Sequence, residues 1–114
     1  MRRVDKPWGY EVIWAETEDY VGKIMEINPG HRMSLQYHEK KEETVYVLKG
    51  NLIIWYSNKF EDCTMLGPNE VYHVVPKMVH RFGCPTGQKS PTRIIEVSTN
   101  YLSDVVRLED DYSR

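Results

Sequence analysis

Short apolar runs separated by polar turns recur along the whole chain. Tyr10 to Trp14, Tyr20 to Ile27 and Leu52 to Tyr56 are rich in β-branched and aromatic residues, and Asn28-Pro29-Gly30 is a typical turn sequence. We find no internal repeat and no convincing amphipathic helical period. Strand-length runs between turns predict an all-β fold, either a sandwich or a barrel.

The sequence pattern does not fully determine the structure of two of the apolar runs. Leu52 to Tyr56 is apolar on both faces, so periodicity alone does not separate a buried strand from a short buried helix. Its composition and the turns beside it favour a strand. Arg93 to Ser98 alternates as a half-buried strand does, but alternation does not say which face Glu96 occupies.

The most informative stretch runs from Gly30 to Gly50 and contains several metal-binding residue types. In a strand, alternation places side chains on opposite faces: Ser34, Gln36 and His38 on one, Met33, Leu35 and Tyr37 on the other. After the polar turn at residues 39–42, Glu43 begins a second apolar run. If the two runs are neighbouring strands, Gln36, His38 and Glu43 can converge and bind a divalent metal.

This stretch resembles the first motif of the cupins, which reads Gly, five residues, His-x-His, three or four residues, Glu, six residues, Gly. The chain fits that spacing, with Gln36 where the first His is usual. Val75-Pro76-Lys77-Met78-Val79-His80 resembles the second motif, with Lys77 in the place of its glycine. The resemblance implies an all-β cupin, a double-stranded β-helix or jelly-roll barrel. It also implies four metal ligands: Gln36, His38, Glu43 and His80.

The end of the chain is similar to the tail of bifunctional mannose-6-phosphate isomerase/mannose-1-phosphate guanylyltransferases, or type II isomerases. The similar residues run from Ile95 through Tyr101-Leu102 to Arg107 and Arg114, and the resemblance as a whole begins at Lys6. It implies one cupin domain over residues 1–114, with a tail of about residues 99–114 near the barrel mouth. No sequence is left for a guanylyltransferase domain, so we do not expect guanylyl transfer.

The resemblance also implies roles for the charged residues. Arg107 and Arg114 would bind a phosphate, with Arg107 also serving catalysis, although both arginines would otherwise be read as surface ion pairs with Glu109, Asp110 and Asp111. Lys6 precedes Pro7-Trp8-Gly9 and is either a cation beside the substrate or a solvated charge. Glu96 is a candidate base. Thr44 stands where many relatives carry a histidine, so we expect the site to lack a titratable neighbour there.

Three functions fit these residues. The first is a metal-dependent isomerase that interconverts mannose 6-phosphate and fructose 6-phosphate, with zinc as the leading metal and nickel, manganese or iron able to occupy the same ligands. The second is a non-catalytic cupin that binds a sugar or sugar phosphate in a regulatory or carbohydrate-assembly role. The third is a metal-dependent oxygenase, against which Gln36 argues because such cupins usually keep a histidine there.

Length, charge and cysteine content predict the number of domains, the kinds of partner and the location of the protein. The 114 residues suit a single domain, and 15 basic against 17 acidic residues give a net charge of −2, which offers no field for nucleic acid or an anionic membrane. Cys63 and Cys84 lie far apart and predict reduced thiols. With no signal peptide and no membrane-length apolar run, we expect a cytoplasmic protein. The apolar residues at 33, 35, 37 and 52–56 predict a homodimer.

Overall fold

The computed structural model describes residues 1–112, which form eleven β-strands and no helix. The strands are β1 Arg2–Lys6, β2 Gly9–Glu16, β3 Tyr20–Ile27, β4 Leu35–Tyr37, β5 Glu43–Lys49, β6 Leu52–Trp55, β7 Cys63–Leu66, β8 Val71–Val74, β9 Arg81–Gly83, β10 Thr92–Thr99 and β11 Val106–Glu109. The prediction of an all-β fold is therefore confirmed. Among the described residues there is also no helix that could cross a membrane.

The strands form one large and two small antiparallel sheets. The six-stranded sheet has the order β1-β2-β3-β10-β5-β8, and the smaller ones are β7-β6-β9 and β11-β4. Isolated bridges at Arg32 and Gly83, and at Gln36 and His80, join the two small sheets into one layer. Strands distant in sequence thus become neighbours, as when β10 lies between β3 and β5.

The hydrophobic core lies between the two layers. The large sheet contributes Met25, Ile27, Val45, Val47, Val74 and Ile94, and the opposite layer contributes Met33, Leu52, Ile54, Phe82 and Cys84. β10 shows the underlying alternation, because its buried residues are Thr92, Ile94, Glu96 and Ser98. Glu96 therefore points inward, which settles the face that the sequence left open.

One strand carries no signal in the sequence, and one local expectation is wrong. Residues 2–6 form strand β1, which is exposed at the edge of the sheet and therefore shows no hydrophobic pattern. Met33 was expected to share the face of Leu35 and Tyr37 away from the ligands. It lines the central cavity instead, because regular strand β4 begins only at Leu35 and alternation does not extend back to residue 33.

Candidate metal centre and cavity

Backbone pairing brings residues from two distant parts of the chain to one end of the barrel. Gln36 and His80 lie opposite each other, with Gln36 N donating to the His80 carbonyl at 3.0 Å and His80 N donating to the Gln36 carbonyl at 2.9 Å. Directly opposed residues of an antiparallel pair project to the same side. Glu43 begins β5 of the six-stranded sheet, whose inward residues are Glu43, Val45 and Val47. The expectation that the runs holding Gln36 and Glu43 are neighbouring strands is wrong, because β4 pairs with β11 and the residues meet across the two layers.

The two histidines present their Nε2 atoms to a common point. His38 Nδ1 donates to the carbonyl of Asp104, and His80 Nδ1 donates to the carbonyl of Met78 at 2.9 Å. These bonds leave a lone pair on each Nε2. Both Nε2 atoms are buried and have no hydrogen-bond partner in the described chain. Such partners on the second ring nitrogen are what orients metal-binding histidines in proteins.

The carboxylate of Glu43 completes the cluster. Its Oε1 lies 3.3 Å from His80 Nε2, and its Oε2 lies 3.9 Å from His38 Nε2. Potential ligand atoms from the three residues all lie within 4.8 Å of one another. Burial alone would raise the pKa of the Glu43 carboxyl, but its neighbours, among them the Lys41 ammonium, outweigh burial and keep that pKa well below its usual range. Glu43 is therefore a buried carboxylate rather than a neutral acid.

The protonation states of the cluster fit a divalent cation. Burial lowers the pKa of His38, and this outweighs the opposing effects of the Asp104 carbonyl and the Glu43 charge. A neutral imidazole is the form that binds metals. The two buried Nε2 lone pairs would be a costly arrangement without a cation between them, because buried polar atoms normally have partners. These three side chains therefore fit a His–Glu–His metal site.

A cavity of about 110 Å³ opens beside the cluster. It is lined by Lys6, Trp8, Glu11, Lys23, Met25, Met33, Ser34, Gln36, His38, Lys41, Glu43, Phe82, Glu96, Leu102, Val105 and Arg107. The structure thus brings Lys6, Gln36, Glu96 and Arg107 to the cavity that holds the cluster. Arg114 lies outside the described residues.

Two of these cavity residues, Gln36 and Lys6, already have polar partners within the chain. The Gln36 amide oxygen accepts a hydrogen bond from Ser34 Oγ at 3.2 Å, and Lys6 Nζ lies 3.7 Å from Glu11 Oε1. Arg107 is exposed and opposes Gln36 across the β11–β4 pair. Lys6 and Arg107 are therefore the more accessible cations of the cavity, away from its buried interior.

Glu96 belongs to a buried network of charges that the sequence did not reveal. Lys41 Nζ lies 3.0 Å from Glu43 Oε2 and 3.2 Å from Glu96 Oε2. Burial, and then the charge of Glu43, raise the pKa of Glu96 to about 7. Burial alone would lower the pKa of Lys41, but the charges of Glu96 and Glu43 outweigh it and raise that pKa above its usual value.

A second buried ion pair joins Lys23 and Glu11, whose atoms Nζ and Oε2 are 3.2 Å apart. Neither this pair nor the buried position of Lys41 was predicted from the sequence. A signal for Lys23 was present, because it shares strand parity with the buried Val21, Met25 and Ile27. No such signal existed for Lys41, which lies in a polar segment outside any strand.

The expectation that residue 44 borders the site is wrong. Thr44 pairs with Val97 and His73, both exposed, and it lines a shallow depression on the outer surface together with Tyr20. Alternation along β5 puts residue 44 on the face opposite Glu43. The absence of a histidine at position 44 therefore removes no group from the cavity.

Antiparallel jelly-roll sheets around a buried His–Glu–His cluster define the chain as a cupin. Solved structures support this class. KdgF from Halomonas sp. aligns with a TM-score of 0.73 at 16% identity, covering 87% of each chain. A sugar phosphate isomerase of the cupin superfamily from Silicibacter pomeroyi aligns with a TM-score of 0.66 at 18% identity, covering 79% of this chain and 58% of the other. At these identities the likeness establishes the fold.

The chain belongs to the mannose-6-phosphate isomerase C-terminal family, whose model matches residues 1–110. Among curated relatives, the mannose-1-phosphate guanylyltransferase ManC of Salmonella typhimurium is 35% identical over 99% of this chain. The xanthan biosynthesis protein XanB of Xanthomonas campestris is 33% identical over 99% of it. The chain covers 23% and 24% of these two proteins, and thus spans about a quarter of their length. These comparisons confirm the resemblance found in the sequence.

Proposed function

We propose that this domain is a metal-dependent sugar-phosphate isomerase that interconverts mannose 6-phosphate and fructose 6-phosphate. The observation that carries the proposal is the pair of buried Nε2 atoms of His38 and His80, which face Glu43 beside a cavity flanked by cations. Family membership and the mannose phosphate in the name of ManC support the choice of sugar.

The metal would be held by His38, Glu43 and His80, with Gln36 as the proposed fourth ligand. Zinc is our leading candidate because it accepts imidazole and oxygen ligands together. A divalent cation there would supply a Lewis acid for the carbonyl end of an open-chain sugar. To serve as a ligand, the Gln36 amide oxygen would have to give up or share its bond with Ser34.

The cavity size and the charge distribution set the expected orientation of the substrate. About 110 Å³ is small beside the several hundred cubic ångströms usual for a whole small-molecule site. The reacting end of the sugar would therefore enter the cavity and the phosphate would stay at the mouth. Arg107 and Lys6 are the accessible cations there, and an arginine can bind two phosphate oxygens at once. Arg114 is proposed as a further phosphate ligand.

Glu96 is the proposed base that moves a proton between adjacent sugar carbons. It lies inside the cavity, and its Oε2 has no aligned hydrogen-bond partner in the described chain although Lys41 Nζ is close. General base catalysis contributes roughly a hundred- to ten-thousand-fold. We expect Glu96→Gln to lower turnover by that order while the protein still binds metal and sugar phosphate. Equal turnover by Glu96→Gln and wild type would rule out Glu96 as the base.

A non-catalytic cupin that binds a sugar phosphate is the second candidate. The ion pair with Lys41 favours it, because the ammonium opposes the effect of burial and lowers the basicity that Glu96 would have without it. A coupled assay for fructose 6-phosphate formation, on zinc-loaded and chelator-treated protein, separates the two candidates. Turnover that depends on the metal supports the isomerase, whereas sugar-phosphate binding without turnover supports the binding protein.

The phosphate half of the proposal is tested by calorimetry with mannose 6-phosphate and with mannose. We expect wild type to prefer the phosphorylated sugar and Arg107→Ala to lose most of that preference. Arg93→Ala is the matched control, because Arg93 is an exposed arginine on β10 that does not line the cavity. If wild type bound both sugars equally, the phosphosugar assignment would be incorrect.

A further inference from the structure

The segment from residue 100 to residue 112, which we call the C-terminal segment, forms part of the wall of the metal cavity. Its strand β11 pairs with β4, the strand that carries Gln36. Leu102, Val105 and Arg107 line the cavity. The segment therefore contacts the site directly, and one of its residues, Asp104, hydrogen-bonds to His38 and to the turn that follows it.

The Asp104 carboxylate binds three consecutive backbone amides. Its Oδ1 accepts from Glu39 N at 3.1 Å, and its Oδ2 accepts from Lys40 N at 2.7 Å and from Lys41 N at 2.9 Å. Hydrogen bonds to an ionised acceptor are stronger than neutral ones. The carboxylate thus fixes the turn that follows His38 to the C-terminal segment.

The backbone carbonyl of the same residue accepts the Nδ1–H of His38. This bond determines which nitrogen of His38 keeps its lone pair, and it orients the ring toward Glu43 and His80. The turn held by the carboxylate also ends at Lys41, whose Nζ lies beside both Glu43 and Glu96. Asp104 therefore holds one candidate metal ligand and the backbone of the residue that contacts another.

The far end of the C-terminal segment is fixed separately. Arg81, which is buried, donates through Nη2 to the Glu109 carbonyl at 3.0 Å and through Nε to the Met33 carbonyl at 2.8 Å. Arg32 Nε donates to Asp111 Oδ2 at 2.6 Å. The segment is thus held at both ends, with Asp104 at the end nearest the metal ligands and Arg107 in between.

We propose that Asp104 is a positioning residue that couples docking of the C-terminal segment to metal binding at His38, Glu43 and His80. This inference rests on the metal site of the proposed function but not on the isomerase activity. Because linkage is reciprocal, docking of the segment strengthens metal binding and bound metal strengthens docking of the segment by the same factor. The segment that carries Arg107 is therefore ordered by the metal that it helps to bind.

The first test is the zinc affinity of wild type, Asp104→Asn and Asp104→Ala, measured by competition with a chromogenic chelator. Changes to groups that orient metal ligands typically weaken metal binding about 10- to 100-fold. We expect a loss in that range for Asp104→Ala and a smaller loss for Asp104→Asn, which keeps one acceptor oxygen. Asp62→Asn is the control, because Asp62 closes another turn by accepting from Ser57 Oγ and does not line the cavity.

The second test is amide hydrogen exchange of residues 100–112 with and without zinc. We expect zinc to slow exchange in wild type and in Asp62→Asn, and to slow it much less in Asp104→Ala. If wild type binds zinc and folded Asp104→Asn and Asp104→Ala bind it equally tightly, the coupling is refuted while the proposed metal site stands. If wild type does not bind zinc at all, both the coupling and the metal site are refuted.

Discussion

Lys41 is the single residue on which the buried charges of the cavity depend most. Its amine lies between the carboxylates of Glu43 and Glu96, and all three side chains are buried. Removing one partner from a buried ion pair leaves an uncompensated charge and costs roughly 3–5 kcal/mol. We expect Lys41→Met to lower the free energy of unfolding by about 3 kcal/mol, measured by urea denaturation. Lys40→Met, at an exposed neighbour, should change it by less than about 0.5 kcal/mol.

The proximity of the three residues of the His–Glu–His cluster was predictable from the sequence, because their types and spacing carry chemical information. His38, Glu43 and His80 meet as expected. Lys41 and Lys23 were not predicted, because a lysine reads as a solvated charge until the fold supplies buried partners for it. The sequence shows charge and spacing, but only the folded structure shows which charged side chains are buried next to each other.

Among the single structural elements, the turn before His80 departs from the second cupin motif. Lys77 occupies the place of the motif glycine and has φ of 69°, a left-handed conformation that costs a non-glycine residue about 1 kcal/mol. We expect Lys77→Gly to preserve or raise the free energy of unfolding, by up to about 1 kcal/mol. Lys77→Val should lower it, because β-branched residues tolerate positive φ poorly. Chemical denaturation of the three proteins measures both effects, and a more stable valine variant would contradict the account.

The alternation rule predicted the face of a side chain correctly within regular strands and incorrectly just before a strand begins. It placed Gln36 on the cavity side of β4 but misplaced Met33, which precedes the first paired residue of that strand. It also holds for β5, where it shows that Thr44 faces away from Glu43. Applied in full, the same rule would have kept residue 44 out of the site without any structure.

At the scale of the whole molecule, the outer face of the six-stranded sheet bears on oligomeric state. Cross-strand pairing aligns one apolar row across five strands: Val12, Ile24, Ile95, Tyr46 and Val71. Trp14 and Val97 beside this row are 42% and 51% exposed. Apolar surface of this extent usually marks an interface. The homodimer predicted from the sequence stays a prediction, and this face is the one we expect to form it.

Light scattering at micromolar concentration measures the oligomeric state. We expect about 27 kDa, twice the 13.5 kDa of one chain. Val97→Asp should shift the protein to monomer, whereas Met65→Asp, at an exposed residue of the smaller sheet, should not. A wild-type protein that is monomeric under these conditions would overturn the dimer.

The fold as a whole was accessible from the sequence because turns, run lengths and motif spacing agree. All described strands pair antiparallel, as expected for a jelly roll. The edge strand β1 and the pairing of β11 with β4 were not foreseen, since both involve polar segments whose structure depends on neighbours distant in sequence. The proposed phosphosugar chemistry rests on the combination of the inward-facing cluster with the cations at the mouth.

Metal-dependent isomerisation can be observed by following mannose 6-phosphate by NMR in the presence of zinc-loaded protein. We expect fructose 6-phosphate to appear with time, and we expect chelation or His80→Ala to abolish its formation. Isomerisation through an enediol moves a proton between adjacent carbons, so deuterium from D₂O should also enter the product wherever the base exchanges its proton. Mannose 6-phosphate that stays unchanged in the presence of folded, zinc-loaded protein would contradict the proposed isomerisation.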